Sequence, residues 1–483
     1  MTPAARIQAT LELLEEIADT PRPADALVSA YFRARRYIGS HDRGDISTRL
    51  YTVLRHQARL DWWINNSRHS RESGNPAASD SEPMSQQSEN KSDSAFLETH
   101  MPRGHAALDS RFRGNDGGRV RLRLLAWLAL GEKMILKDIG ELCSGGKFAP
   151  EELDDGERAF LRKLIGHTIE HPDMPEEVVA ECPLGLAPVL KEKFGKNFLK
   201  EMRAMLKPAT LDLRINPLKT TREEILKALK EMNFKAEMCA LSPWGVRVFE
   251  RPNLSALPML KNGMVEIQDE GSQMVALAVD AKPGERVVDF CAGAGGKTLA
   301  IAAMMQNKGK IIACDVLAKR LERSTERFRR AGLHNIETRA LSSERDPWVK
   351  KHKGSFDRVL CDAPCSGTGT WRRNPDARWR ELEPGLEALL KTQAEILDSA
   401  ARLVKAGGRL IYATCSLLPD ENERQIEKFL AAHADFSLLP CGLQGADFLS
   451  LSPAQHGTDG FFAATMVKAK KIEKAETKTS EAN

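Results

Sequence analysis

From about residue 263 onward, short apolar runs alternate with helix-patterned stretches, and several of the runs end on a residue able to do chemistry. Arg286–Phe290, Lys310–Asp315, Phe356–Asp362 and Arg409–Thr414 read as strands. Thr298–Met305, Leu317–Ala331, Leu386–Val404 and Asp420–Ala432 read as helices. Alternation of this kind predicts an α/β fold with a doubly wound parallel sheet. In such sheets ligands bind beyond the carboxyl ends of the strands. Asp289, Asp315, Asp362 and Cys415 all fall at or just past those ends.

The preceding half has a different pattern. Ile7, Leu11, Leu14 and Ile17 follow helical spacing, and Val28, Tyr31, Phe32 and Tyr37 continue it. A third helix is expected over Asp45–Ile64, and helices resume from Val120 to about Lys207. Residues 66–118 are dominated by Ser, Asn, Gly, Arg and Asp, too polar to offset their own ordering entropy, which predicts a disordered insertion in a helical domain of residues 1–207. Two phrases in it, residues 70–76 and 109–117, resemble translated ends of a palindromic genomic repeat; a basic RNA-contacting loop is the alternative. Residues 208–262 read as a small α+β module, with a strand at 211–217 and a helix at Thr221–Met232. The domain with the alternating pattern spans 263–468, and the Lys/Glu/Thr-rich tail 469–483 is expected to be disordered.

The net charge of +4 over 483 residues is mild and does not by itself call for nucleic acid. Nine cysteines in so long a chain do not form a disulfide framework, which fits a reducing compartment. With no signal-peptide pattern and no apolar run long enough to span a membrane, a cytoplasmic location is expected.

The segment Val287–Thr298 reads as strand, glycine-rich loop and helix start. Gly293, Gly295 and Gly296 permit close approach of a ligand to backbone N–H groups, and a helix N-terminus favours an anion. Asp315, ending the next strand, suits ribose hydroxyls. Asp289 suits an ammonium group. The glycines run G-A-G-G, so the loop is neither a strict G-x-G-x-x-G nor a Walker loop. S-adenosylmethionine carries both the ammonium and the ribose; a bare turn with a core aspartate is the alternative.

Two cysteines, Cys365 in Ala363-Pro364-Cys365-Ser366-Gly367 and Cys415 in Ala413-Thr414-Cys415-Ser416-Leu417, share a small residue before and a serine after. Two thiols at strand ends of one sheet can face one pocket. Carbon 5 of cytosine is a poor nucleophile until a thiolate adds at carbon 6, an acid supports protonation at N3, and a later step expels the thiol. Cys415, Asp362 and Cys365 are residues of those types. Cys291, Cys314 and Cys361 lie in or beside apolar strands and read as core, and the Cys361–Cys365 spacing does not suit zinc, so no metal is expected. A redox pair of Cys365 and Cys415 is a further alternative. The stretch Thr370–Arg380 interleaves Trp371 and Trp379 with Arg372, Arg373, Arg378 and Arg380, a pattern able to stack bases and pair phosphates, or equally a loop anchored by core tryptophans.

The phrases FCAGAGGKT, DAPCSGTG, YATCSLLPDENE and HGTDGFF, with LRINPLK and VEIQDEGSQ upstream, resemble the RsmB/Nop/Sun family of RNA cytosine-C5 methyltransferases over residues 208–468. The N-terminal helices more weakly resemble a NusB-like RNA-binding domain. The resemblance implies a class I methyltransferase fold and Cys415 as the nucleophile. It also implies Cys365 as the thiol assisting release, and Asp362 near the methyl group and the base. Lys297 would orient the site. S-adenosylmethionine would lie on Cys291, Ala292, Gly293, Ala294, Gly295, Gly296 and Lys297, with Asp315 on its ribose. The family's aspartate after the third strand has no clear counterpart; Ser343 is nearest by spacing, with Glu344 one step on. The implied partner is RNA, ribosomal RNA first and transfer RNA second, acted on by a monomer. A non-catalytic RNA-binding assembly factor and a nicotinamide oxidoreductase are the rival classes.

Overall fold

A computed structural model describes residues 1–69, 116–249 and 257–470. The expectations for 66–118 and 469–483 lie outside these residues except at the edges. There the helices Gln57–His69 and Asp116–Leu130 extend into the first segment. The chain divides into two compact units, Met1–Ala187 and Pro188–Asn483.

Among the described residues, the first unit is helical, without strands. Thr2 begins it by accepting from Ala5 N at 3.2 Å, with Pro3 in the first turn, where a missing N–H costs nothing. Its helices Pro3–Ala18, Ala24–Ala34, Ser40–Arg55, Gln57–His69 and Asp116–Leu130 enclose Leu13, Leu27, Ile46, Leu50, Leu60 and Leu128. Two expectations are corrected. The helix expected over Asp45–Ile64 is two, broken at His56 (φ −112°, ψ 24°), where neither Pro nor Gly marks the break. Tyr37 lies past the end of its helix and is 77% exposed, so it does not continue the buried stripe.

The second unit holds two sheets among its described residues. The smaller comprises β1 (Leu211–Ile215), β2 (Ala236–Met238), β3 (Gly245–Val248) and β4 (Val265–Ile267), antiparallel in the order β2-β3-β1-β4. Its helix Arg222–Glu231 starts on a capping box in which Thr221 and Glu224 each bond the other's backbone N–H. The larger sheet comprises β5 (Arg286–Asp289), β6 (Lys310–Asp315), β7 (Ile336–Ala340), β8 (Phe356–Asp362), β9 (Val404–Thr414), β10 (Phe436–Leu439), β11 (Phe448–Leu451) and β12 (Phe461–Lys468). Its order is β10-β12-β9-β8-β5-β6-β7, with β11 beside β12. β5 to β9 pair in parallel, and β10 and β11 run antiparallel to β12, itself antiparallel to β9. The expected parallel sheet is therefore a mixed one, extended by an antiparallel edge.

Val287, Val288, Val359, Leu360, Leu410 and Ile411 are wholly buried, as expected of parallel strands covered on both faces. From β5 the chain winds one way to β6 and β7 and the other way to β8 and β9, so the crevice opens between β5 and β8. Register aligns Asp289 with Leu360, and Asp362 with Ala413. The ends of β5, β6, β8 and β9 thus meet along one rim.

The Trp371–Arg380 stretch turns inward. Trp371 is 2% exposed and Arg372 is 5%. Arg372 and Arg373 both pair with Asp269, at 3.1 and 2.8 Å, and both pair with Asp459. These guanidinium groups are held by carboxylates rather than offered to phosphate, which corrects the RNA-contacting reading at those two positions. The cluster ties the start of helix Glu270–Ala278, the loop after Cys365 and the loop before β12 into one piece. Asp269→Ala leaves two guanidiniums sharing one carboxylate. It should cost ~3–5 kcal/mol, read as a fall in the denaturant midpoint of the second unit's transition.

Candidate functional site

The loop after β5 runs from the partly buried Cys291 through the buried Ala292 and the exposed Ala294 to the helix Gly296–Met304. Gly293 has φ +56°, and a Cβ built there would meet nothing within 4 Å, so the loop is open above this residue. Its N–H donates to Asp315 Oδ2 at 2.8 Å, while Asp315 Oδ1 accepts from Leu317 N at 2.7 Å. Asp315 is thereby fixed beside the loop. Val316 and Leu317, just beyond it, are 60% and 50% exposed, an apolar shelf next to the carboxylate that the sequence reading passed over.

Asp289 is 1% exposed. Its Oδ2 accepts from Thr298 Oγ1 at 2.6 Å, and its Oδ1 is buried with no partner among the described residues. Burial pushes its carboxyl from 3.8 up to about 7, against the Thr298 hydrogen bond and with some help from Asp362.

Two arginines missed in the sequence hold the loop from outside. Arg214 of β1 donates to Gly296 O at 2.6 Å, and Arg327 donates to Ala294 O at 2.5 Å. Arg327 is in turn fixed by Glu266 of β4 at 2.9 Å. Burial pulls the Arg214 guanidinium down to about 10. Only its place in the LRINPLK phrase singled it out; the contact itself joins residues far apart in the chain.

Beyond β8, Asp362 Oδ2 meets Lys297 Nζ at 2.5 Å. Burial alone would lower the Lys297 ammonium, but Asp362 outweighs it and Lys297 titrates above its ordinary value. Its Nζ also lies 5.6 Å from the centre of the Phe461 ring. Cys365 Sγ and Cys415 Sγ stand 3.4 Å apart, both partly buried. The hydrogen bond to Cys415, then burial, push the Cys365 thiol well above its usual range. Either thiol can donate its S–H to the other across this contact. Cys314 and Cys361 are fully buried, as expected of core cysteines.

The two cysteine loops are joined through their backbones. Gly369 N donates to Cys415 O at 2.9 Å, and Gly460 N donates to Gly369 O at 2.8 Å. A Cβ on Gly369 would come within 2.2 Å of Gly460 O and 2.8 Å of Cys415 O, so only glycine fits. Ser366 and Ser416, the serines that follow the two cysteines, both donate to the buried carboxylate of Glu421. Ser343 stays within its own turn, accepting from Arg345 N at 3.1 Å. Among the described residues, no helix is long and apolar enough to cross a membrane.

Comparison with known proteins places this arrangement. Residues 276–467 match the family profile of 16S rRNA methyltransferase RsmB/F, and residues 183–254 match that of the RsmF/B-like ferredoxin-like domain. Ribosomal RNA small subunit methyltransferase B of Shewanella oneidensis is 34% identical over 337 residues, covering 69% of this chain and 77% of that protein. The chain belongs to the RsmB/F methyltransferase family. Other relatives are matched over less of their length: 60% of a Synechocystis protein that is 40% identical over 270 residues, and 64% of the Photorhabdus laumondii methyltransferase B. A solved structure titled PH0851 superposes with a TM-score of 0.74 at 25% identity, covering 97% of this chain and 99% of that one. A methyltransferase homolog from Pyrococcus horikoshii gives 0.54 at 29% identity, over 62% and 100%.

The methyl donor of the RsmB/F family is S-adenosylmethionine, and the residues present fit it. The buried Asp289 Oδ1, without a partner among the described residues, is an acceptor that the donor's ammonium would suit. The open cradle at Gly293 and the helix start at Gly296 suit its carboxylate, and Asp315 suits its ribose.

With its carboxyl displaced, Asp289 should make binding depend on pH. An ammonium ligand prefers the ionised form, so affinity for S-adenosylmethionine should rise roughly tenfold between pH 6 and pH 8, measured by titration calorimetry, and Asp289→Asn should abolish the slope. The sign for folding is opposite. Between about 4 and about 7 the folded state holds the proton that the unfolded state has lost. Without ligand, this residue's contribution to stability therefore falls as pH rises through that window.

Proposed function

We propose that this chain methylates carbon 5 of a cytosine in RNA, with small-subunit ribosomal RNA as its substrate, through a covalent bond between Cys415 and carbon 6 of the base. The observation that carries this is the pair of sulfurs 3.4 Å apart, on loops flanked by the Asp362–Lys297 pair and the glycine loop. Bound S-adenosylmethionine supplies an electrophilic methyl group.

The chain's own residues do the rest. Cys415 adds to carbon 6 as a thiolate, and Asp362 supports protonation at N3, making carbon 5 electron-rich. Lys297 keeps Asp362 oriented and offsets its charge. After methyl transfer the carbon-5 proton leaves to a base, N3 returns its proton to Asp362, the ring double bond re-forms and the carbon–sulfur bond breaks. The departing Cys415 thiolate is met by the S–H of Cys365, which lowers the cost of its charge. Because both faces of the base must be reached, the target cytosine is single-stranded or turned out of its helix. The helical unit and the small sheet are proposed to bind the surrounding RNA.

The two thiols should give opposite results on substitution. Cys415→Ala should reduce methyl transfer by about 10³-fold or more and form no adduct. Cys365→Ala should leave a protein–RNA adduct that survives a denaturing gel. Bisulfite sequencing of RNA from cells with and without the protein would locate the cytosine. Undiminished transfer by Cys415→Ala would sink the covalent mechanism.

A further inference from the structure

Glu421 is wholly buried, yet every hydrogen-bond donor to it among the described residues is neutral. Its Oε1 accepts from Ser366 N at 2.8 Å and from Gln393 Nε2 at 2.9 Å. Its Oε2 accepts from Ser366 Oγ at 2.5 Å and from Ser416 Oγ. Burying a carboxylate without a cation is costly, and such groups persist where something else requires them. What this site requires is four acceptor positions in one place, which an amide, with a single oxygen, does not offer.

The surroundings hold the carboxylate still. Glu421 closes the short helix Pro419–Glu421, and its carbonyl accepts from Tyr412 Oη at 2.8 Å. Gln393 also donates to Pro364 O at 3.0 Å, so the helix Leu386–Leu403 grips the Cys365 loop and Glu421 together. Asn422 donates to Ser416 O at 2.9 Å and accepts from Thr414 Oγ1 at 2.6 Å, which fixes the Cys415 loop from the other side.

We infer that Glu421 is a positioning residue that sets the spacing of the two reactive sulfurs by holding the serine next to each. It explains why both cysteines are followed by serine: each hydroxyl is a tether to the same carboxylate. Among the described residues, no hydrogen bond joins Glu421 to either sulfur. After the Cys415 hydrogen bond, burial and the Cys415 charge, its own charge adds to what keeps the proton on Cys365. Its kinetic consequence rests on the covalent reading above; the sulfur spacing does not.

The test is Glu421→Gln in the full chain. With one acceptor oxygen left, the serine tethers compete and the Cys365 loop drifts. Turnover should fall by about 10²-fold, the cost of a displacement near 1 Å. KM and the calorimetric Kd for S-adenosylmethionine should stay within about twofold of wild type, and denaturing gels should show adduct. In a Cys365→Ala background the substitution should cost nothing further, since the effect runs through that thiol. A second readout needs no RNA. In buffers of glutathione and its disulfide, two cysteine thiols give up two electrons and two protons, one S–S bond forms, and one glutathione disulfide becomes two thiols. The Cys365–Cys415 disulfide, counted by peptide mass spectrometry, should form with an equilibrium constant at least about tenfold lower in Glu421→Gln, a rise in potential of about 30 mV.

Wild-type turnover with an unchanged disulfide equilibrium in Glu421→Gln would overturn the positioning role. Failure of the covalent reading would look different: neither methylated cytosine from wild type nor adduct from Cys365→Ala, with the disulfide shift still present. Should Glu421→Gln fail to bind S-adenosylmethionine and so be misfolded, Ser416→Ala removes one tether from the other end. It should give the same pattern at smaller size; wild-type behaviour there would equally overturn the role.

Discussion

The parallel pairing of β8 with β9 is the interaction on which the rest of the site depends. It places Asp362 opposite Ala413, so the two chains leave the sheet side by side and at the same height. Three residues on from Asp362 stands one cysteine, and two on from Ala413 stands the other. A one-residue slip would turn every side chain of one strand to the opposite face and part the sulfurs. The slip is opposed because Leu410, Ile411, Tyr412, Ala413 and Thr414 are all fully buried between β8 and β12.

Around that pairing the site is held from several distant parts of the chain. The small sheet reaches the glycine loop through Arg214 directly and through the Glu266–Arg327 pair. The antiparallel edge reaches the cysteine loops through Gly460 and Asp459. Asp289 Oδ1 is one of the buried polar atoms left without a partner among the described residues, at a place that would suit a ligand's cation.

Much of this was legible in the sequence because chemistry and pattern coincide at strand ends. Buried apolar runs announced β5, β6, β8 and the end of β9, and the residues that terminate them are the ones the structure brings together. β7 was not named among the strands because its residues are Ile-Glu-Thr-Arg-Ala, polar enough for a half-exposed edge. The break at His56 has no local marker. Arg372 and Arg373 looked like phosphate ligands because their partners, Asp269 and Asp459, lie about ninety to a hundred positions away, beyond any periodicity. Glu421 was visible only as part of a phrase; its place between two serines exists only in three dimensions.

The Arg372–Arg373–Asp269–Asp459 cluster bears on the field the protein presents to a polyanion. Two formal positive charges and two formal negative ones are locked together, Arg372 and both carboxylates buried and Arg373 partly exposed, so their long-range potentials largely cancel. Of a net charge of only +4, none can be credited to this pair of arginines. Any long-range attraction for a polyanion would come from cations elsewhere on the chain, while the cluster acts as a neutral cross-brace whose buried pairs salt screens little.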